Sequence, residues 1–227
     1  MMRLLLISSS NVYGYGFLDH AEPEILRVLG GRRSIAFVPF AQHDHDAYTL
    51  IVRERFARMD VEVTQVRDAN DIENAQAIFI GGGNTFRLLK AMYDRSLIAP
   101  IQRRVCDEGV PYIGSSAGTN VACPTIMTTN DMPIVYPPSF AALGLVRFQI
   151  NPHYLDVDAD STHKGETREE RILQFLEDNA TPVIGLREGT MIAVENHTTT
   201  LLGLQSARLF QRGAEPMELE AGSAIAL

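Results

Sequence analysis

The sequence predicts an α/β fold: a mainly parallel sheet with helices on both faces, and antiparallel strands near the C-terminus. Three observations carry that expectation. Short apolar runs alternate with amphipathic stretches through the first half of the chain. Those runs are apolar almost throughout, as strands covered on both faces are. The last third changes to short strand-like runs broken by Gly, Asn and His, a pattern that suits antiparallel strands closing the sheet edge.

In chain order, Leu4–Ser8 reads as a first core strand. Phe17–Leu29 has helical spacing and stops at Gly30-Gly31, residues that end helices readily. Ile35–Pro39 reads as a buried strand. Asp46–Met59 reads as a helix, with Tyr48, Ile51, Phe56 and Met59 on its buried side. Val61–Val66 alternates with period two, as a strand does. Ala77–Ile80 is a strand that runs into Gly81-Gly82-Gly83. Phe86–Met92 and Ile98–Glu108 are helical, and Pro111–Gly114 is a short strand. After a helix near Glu166–Glu177 come the strand-like runs Val183–Leu186, Met191–Val194, Thr199–Leu202 and Ala207–Phe210. With no repeat, low-complexity tract or linker, residues 1–227 are expected to form one domain.

Composition narrows the partners. The chain of 227 residues is 45% hydrophobic and 21% charged, which suits one large α/β core. Its formal net charge of -8 repels phosphate backbones and anionic membranes, so neither nucleic acid nor a lipid surface is an expected partner. The two cysteines, Cys106 and Cys123, form no C-x-x-C pair and are too few for a disulfide scaffold, so a reducing, cytoplasmic setting is expected. The opening residues lack the basic region and long apolar stretch of a signal peptide. Nothing approaches the ~18 apolar residues of a membrane span.

Gly114-Ser115-Ser116-Ala117-Gly118 follows a strand and matches G-x-S-x-G. That pattern builds a sharp strand-to-helix turn that lifts the serine hydroxyl out of the sheet. Ser116 is therefore the candidate nucleophile; Ser115, at the x position, should point away from the apex. The glycine run Gly81-Gly82-Gly83 lacks the G-x-x-x-x-G-K-[ST] phosphate pattern. An oxyanion hole takes one amide from the residue after the nucleophile and one from another loop, roles that Ala117 and Gly83 fit.

A serine needs a base. Of six histidines, His153 ends an apolar strand in Gln149-Ile150-Asn151-Pro152-His153 and can face the same crevice. His20 lies in a helix, where a surface or hydrogen-bonded role is expected. His43 and His45 form a weak H-D-H metal pattern in a solvated loop. His163 stands beside Lys164, open to a substrate or surface role. The third member should be a carboxylate that fixes the imidazole. Glu188, just past the strand Val183–Leu186, is favoured, and Asp131 competes. The resulting order, Ser–His–Glu, differs from the Ser–acid–His order of α/β-hydrolases. A Ser116–Glu188–His197 set would restore that order and ranks second.

The long block G-S-S-A-G-T-N-V-A-C-P-T-I-M-T-T-N-D-M-P-I-V, Gly114–Val135, resembles the peptidase E family, the aspartyl dipeptidases of bacteria. So do G-G-G-N-T-F at Gly81–Phe86, I-N-P-H at Ile150–His153, H-K-G-E-T-R-E at His163–Glu169 and G-L-R-E-G at Gly185–Gly189. The resemblance covers almost the whole chain. It implies a metal-free and cofactor-free serine peptidase acting on dipeptides with N-terminal aspartate, on a fold like that of class I glutamine amidotransferases. By position, Ser116 matches the family nucleophile, His153 the base, Glu188 the acid, and Asp131 an aspartate also proposed for the charge relay. Gly83 and Ala117 match the oxyanion donors. One departure is visible: members of the family carry proline before the acid, where this chain has Arg187.

An N-terminal aspartate brings a carboxylate, and a planar guanidinium is its natural partner. Arg168 is the candidate, since a cation in the first turn of a helix is electrostatically disfavoured unless it serves something else. The alternative is a surface pair with Glu166, Glu169 or Glu170. Two rival functions stay open: a cyanophycinase-like peptidase acting on aspartate-containing isopeptides, and a non-catalytic ligand-binding relative. The H-K-G-E-T-R block favours the dipeptidase. A monomer or a homodimer suits the sequence equally.

Overall fold

The computed structural model of the protein describes residues 2–157, 162, 164–196 and 198–226. His163 and His197 lie outside the described residues. The main sheet is built from β1 (Arg3–Ile7), β2 (Ser34–Val38), β3 (Glu62–Gln65), β4 (Ile78–Ile80), β5 (Tyr112–Ser115), β8 (Thr190–Glu195) and β9 (Thr198–Gly203). Its order is β3-β2-β4-β5-β1-β8-β9. Every pairing from β3 to β1 is parallel, and β8 and β9 extend the sheet antiparallel beyond β1.

Alternate residues of these strands serve two separate cores. Leu4, Leu6, Val38, Ile78 and Ile80 face one side, while Leu5, Ile7, Phe37, Phe79 and Ile113 face the other. Helices α1 (Glu22–Leu29) and α2 (His45–Ala57) cover the second face through Ile25, Val28, Val52 and Phe56. Helices α4 (Thr85–Asp94), α5 (Ile98–Gln102) and α6 (Ala117–Ala122) cover the first through Leu88, Met92, Ile101 and Val121. The inner strands β1, β2 and β4 are buried on both faces and read as near-continuous apolar runs, whereas the edge strands β3 and β9 carry polar, partly exposed residues.

The sequence expectation placed the late strands together at the sheet edge, and here the structure differs. Only β8 and β9 join the main sheet. β6 (Gln149–Pro152), β7 (Val183–Leu186), β10 (Ala207–Phe210) and β11 (Met217–Leu219) form a second sheet, ordered β11-β10-β7-β6, in which β6 and β7 are parallel. Ile150, Ile184, Leu186 and Leu209 of that sheet share the core of the first face. Helix α7 (Arg168–Asp178) packs Ile172 and Leu176 against Val183 and Phe210 on its other side.

Three further readings are corrected. The helix expected from Phe17 begins at Glu22, after a single 3-10 turn over Asp19–Ala21. In α2, Ile51 is 49% exposed whereas Tyr48, Val52 and Phe56 are buried. The buried stripe steps by four residues, which puts position 51 on its rim and brings Arg55 inside. Arg55 is held there by Glu22, with Nη2 2.5 Å from Oε2, and by the Phe17 carbonyl at 2.9 Å. The helix expected over Ile98–Glu108 continues past α5 as a π turn over Arg103–Asp107. The short helix α3 (Ala69–Glu73) and strand β11 carry too few periodic apolar residues to be read from sequence.

Candidate active site

In the order β4-β5-β1, the loops that leave the carboxyl ends of three adjacent parallel strands lie side by side. They carry the glycine run, Ser116 and the serines Ser8-Ser9-Ser10. Ser116 caps α6 with φ 53° and ψ -108°, a conformation rare for a residue with a side chain. Such strain costs of order 1–3 kcal/mol and persists only where the surroundings enforce it. The enforcement is visible. The Ser116 amide donates to the Ile7 carbonyl at 3.0 Å, and the Thr119 hydroxyl donates to the same carbonyl at 2.7 Å. A methyl on Gly118 would run into the Ile80 carbonyl, and one on Gly114 into the backbone of Gly118. The elbow glycines are thus required by close packing against the neighbouring strand and helix.

His153 Nε2 lies 2.9 Å from Ser116 Oγ. His153 Nδ1 lies 2.7 Å from Glu188 Oε1. The second sheet makes this contact by register. β6 and β7 run parallel with Pro152 opposite Leu186, so His153 and Glu188 leave neighbouring strands at the same end. His153 adopts φ 55°, turning its ring back toward Ser116. Ser8 bridges the two sheets at this point: its hydroxyl accepts from the His153 amide at 3.0 Å and donates to the Leu186 carbonyl at 2.7 Å. Ser115, the rival nucleophile, is fully buried, with Oγ 2.6 Å from Ser10 Oγ.

Asp131 does not reach His153. Its carboxylate accepts from the Thr85 amide at 2.7 Å, from the Thr85 hydroxyl at 2.6 Å and from the Thr129 hydroxyl at 3.2 Å. It therefore fastens the 129–131 segment to the start of α4, where a negative charge is favoured. Of the two carboxylates weighed from the sequence, the one hydrogen-bonded to the imidazole is Glu188.

Gly82 is the glycine that abuts Ser116: a methyl there would sit 3.1 Å from Ser116 Cβ. Gly83 follows with φ 139°, and a methyl there would meet the Ala41 carbonyl. Among the described residues, no hydrogen bond takes up the amide of Gly83 or of Ala117.

Arg168 opens α7, one residue after its cap Thr167, whose hydroxyl and Glu170 form a reciprocal capping box. The expected alternative, a pair with Glu166, Glu169 or Glu170, is not formed. Glu166 lies by Arg171, Glu169 by Arg208, and Glu170 is in the cap. Arg168 Nη1 instead donates to Asn130 Oδ1 at 2.7 Å. Asn130 in turn donates to the Pro152 carbonyl at 2.7 Å, next to His153. Partial burial and the nearby Arg171 lower the Arg168 pKa, and Asp131 opposes that shift. Among the described residues its guanidinium has no carboxylate within ion-pair distance.

Arg187, where the family resemblance implies a proline, pairs outside the Ser116–His153–Glu188 path. It lies between Asp156, at 2.6 and 2.7 Å, and Glu218, at 2.9 and 3.0 Å. Those two carboxylates push its pKa far up, and the guanidinium holds both acids below their ordinary range. His20 is partly exposed, but its ring nitrogens are buried without a hydrogen-bond partner among the described residues. His43 and His45 flank Asp44, whose carboxylate caps α2. Among the described residues, no group of three or more His, Cys, Asp or Glu could hold a metal ion.

Sequence reasoning missed Ser8, Ser10 and Asn130. The signal for the serines was present: three consecutive hydroxyls end an otherwise apolar core strand, and all three are buried.

A serine hydroxyl bonded to an imidazole that is itself bonded to a carboxylate is the arrangement by which serine hydrolases activate a nucleophile. The chain belongs to peptidase family S51, whose family model matches residues 4–202. It is a serine-type peptidase. It is 52% identical over 226 residues to a Streptomyces coelicolor protein named peptidase E, covering 98% of this chain and 93% of that one. It is 49% identical over 223 residues to a Drosophila melanogaster protein named "Probable alpha-aspartyl dipeptidase", covering 96% and 93%. The crystal structure of a peptidase from an acI-B1 actinobacterium shares the fold, with a TM-score of 0.71 at 17% identity over 100% of this chain and 97% of that one.

Proposed function

We propose that the protein hydrolyses dipeptides with N-terminal aspartate through an acyl-enzyme on Ser116. The observation that carries the reading is the continuous path Ser116 Oγ, His153 Nε2, His153 Nδ1, Glu188 Oε1, with links of 2.9 and 2.7 Å. Ser116 Oγ attacks the peptide carbonyl while His153 Nε2 takes its proton. Glu188 holds the tautomer that leaves Nε2 free to accept and stabilises the imidazolium that forms. The amides of Gly83 and Ala117 donate to the oxyanion, each worth roughly 2.7–4 kcal/mol by analogy with measured oxyanion donors. The C–N bond then breaks, His153 gives its proton to the departing amine, and the second residue leaves. His153 next takes a proton from water, which attacks the ester and releases aspartate and Ser116.

Arg168 is the proposed partner of the substrate's side-chain carboxylate. Its support is a half-buried guanidinium with no ion-pair partner among the described residues, joined through Asn130 to the residue before the base. The aspartyl preference is supported further by relatives named peptidase E and alpha-aspartyl dipeptidase. No helix among the described residues is long and apolar enough to cross a membrane. Both cysteines are free, Cys123 buried and Cys106 exposed, which suits the cytoplasm. A monomer or a homodimer accommodates this mechanism.

A panel of Xaa-Leu dipeptides tests the specificity. Leucine is expected from Asp-Leu and not from Ala-Leu, Lys-Leu or Leu-Leu at comparable rates. Equal release across the panel would contradict the aspartyl reading.

A further inference from the structure

The glycine loop is braced from behind by the end of β2, the start of α2 and the segment between them, a part of the chain with no role in the chemistry described above. Four contacts make the brace. The Gly81 amide donates to the Val38 carbonyl at 3.3 Å, and the Asn84 amide to the Ala41 carbonyl at 2.9 Å. The Gly82 amide donates to the Tyr48 hydroxyl at 2.9 Å, in a buried contact. Gln42 Nε2 donates to the Gly82 carbonyl at 3.2 Å.

The last two bonds act on successive peptide planes. Tyr48 holds the Gly81–Gly82 plane by its N–H. Gln42 holds the Gly82–Gly83 plane by its C=O. In a trans peptide the carbonyl and the amide point in opposite directions. Fixing the Gly82 carbonyl on Gln42 therefore sends the Gly83 N–H away from the β2–α2 segment. Gly82, whose α-carbon lies against Ser116, is the residue between the two planes. Glycine gives the loop little torsional resistance of its own, so the direction of that amide has to be imposed from outside.

We propose that Gln42 and Tyr48 are positioning residues for hydrolysis, which hold the two peptide planes so that the Gly83 amide is aimed at the carbonyl oxygen under attack. The inference rests on the reading of Ser116 as nucleophile and Gly83 as oxyanion donor. Tyr48 suits the task because burial pushes its hydroxyl up to about 12, so it keeps its proton across the working range. It can then accept from Gly82 while keeping its own proton. The fit around Tyr48 is close, since a methyl on Gly81 would meet the ring and hydroxyl at 2.5–2.8 Å.

The test is steady-state hydrolysis of Asp-Leu by wild type, Tyr48→Phe, Gln42→Met and Ser116→Ala. Tyr48→Phe keeps the ring and removes the acceptor. Gln42→Met keeps the length and removes the donor at an exposed position, so folding is not at issue there. Misaiming one oxyanion donor should lower kcat by about 5- to 50-fold, less than the loss on deleting one. KM should stay within about twofold and the pH profile of kcat unchanged, because neither residue touches His153 or the substrate carboxylate. A merely structural role would instead move KM, the pH profile and the melting temperature together, and that result would overturn the proposal. Wild-type kcat in both variants with Ser116→Ala inactive would overturn this inference alone. Wild-type turnover by Ser116→Ala would overturn it together with the reading beneath it. If Tyr48→Phe does not fold, Gln42→Met decides by the same criteria.

Discussion

His153 Nδ1 lies 2.7 Å from Glu188 Oε1, and the two residues come from adjacent parallel strands of the smaller sheet. The pairing of Pro152 with Leu186 fixes how far each strand has run when its chain turns. His153 and Glu188 are thereby preset relative to each other, while Ser116 is preset on the main sheet. Ser8, whose hydroxyl contacts both the His153 amide and the Leu186 carbonyl, sets the two pairs in register.

From this geometry, Glu188→Gln and Asp131→Asn should separate cleanly. Glu188→Gln keeps the shape but no longer imposes the tautomer or stabilises the imidazolium. A loss in kcat of about 10²- to 10⁴-fold is expected, by analogy with the orienting aspartate of serine proteases. Asp131→Asn can still accept from Thr85, so a smaller loss with an unchanged pH profile is expected. Steady-state assays on Asp-Leu over a range of pH would check this. The reverse ranking would make Asp131 the functional acid.

Arg168→Ala should discriminate between substrates. A hydrogen bond to a charged group contributes about 1.5–3 kcal/mol, or roughly 10- to 100-fold in kcat/KM. That loss should appear with Asp-Leu and be far smaller with Ala-Leu. Equal losses on both would show that Arg168 acts through Asn130 on the backbone before His153 and does not read the substrate.

Arg187 predicts a pH dependence of stability. It holds Asp156 and Glu218 below their ordinary values of 3.8 and 4.5. The unfolded chain therefore binds more protons than the folded one in that range, and stability rises with pH through it. The contribution is complete above about pH 5 and is lost as pH falls through the folded values. The melting temperature of wild type should exceed that of Arg187→Met most at neutral pH, and the gap should narrow below pH ~4. A gap of constant size from pH 7 to pH 3 would contradict the pairing. Calorimetry or circular dichroism would measure it.

Much of this was legible in the sequence because strand and helix periods are local. β7 and β10 lie where their apolar runs predicted, and Ser116, His153 and Glu188 each stand at the end of a strand. What strand ends could not reveal was that two sheets contribute them. Which strand pairs with which is a non-local property, and the late runs read equally well as an extension of the first sheet. The same limit hid Ser8 and Ser10, whose partners stand 145 or 178 and 105 residues away. Asp131 shows the converse case. Its block resembles a catalytic motif, yet its three hydrogen bonds stay with Thr85 and Thr129. Tyr48 was read as a core residue from its helical spacing, and it is one; the hydroxyl at its tip is what spacing cannot describe.

The nucleophile is tested most directly by leucine release from Asp-Leu in Ser116→Ala, with melting curves establishing that the variant is folded. Turnover is expected to fall by at least about 10³-fold, since removing a triad serine leaves only the contribution of the oxyanion hole and binding. The melting temperature should not drop, because alanine keeps the Cβ and leaves the backbone bond to Ile7 in place. A folded Ser116→Ala that releases leucine within tenfold of the wild-type rate would contradict the acyl-enzyme mechanism.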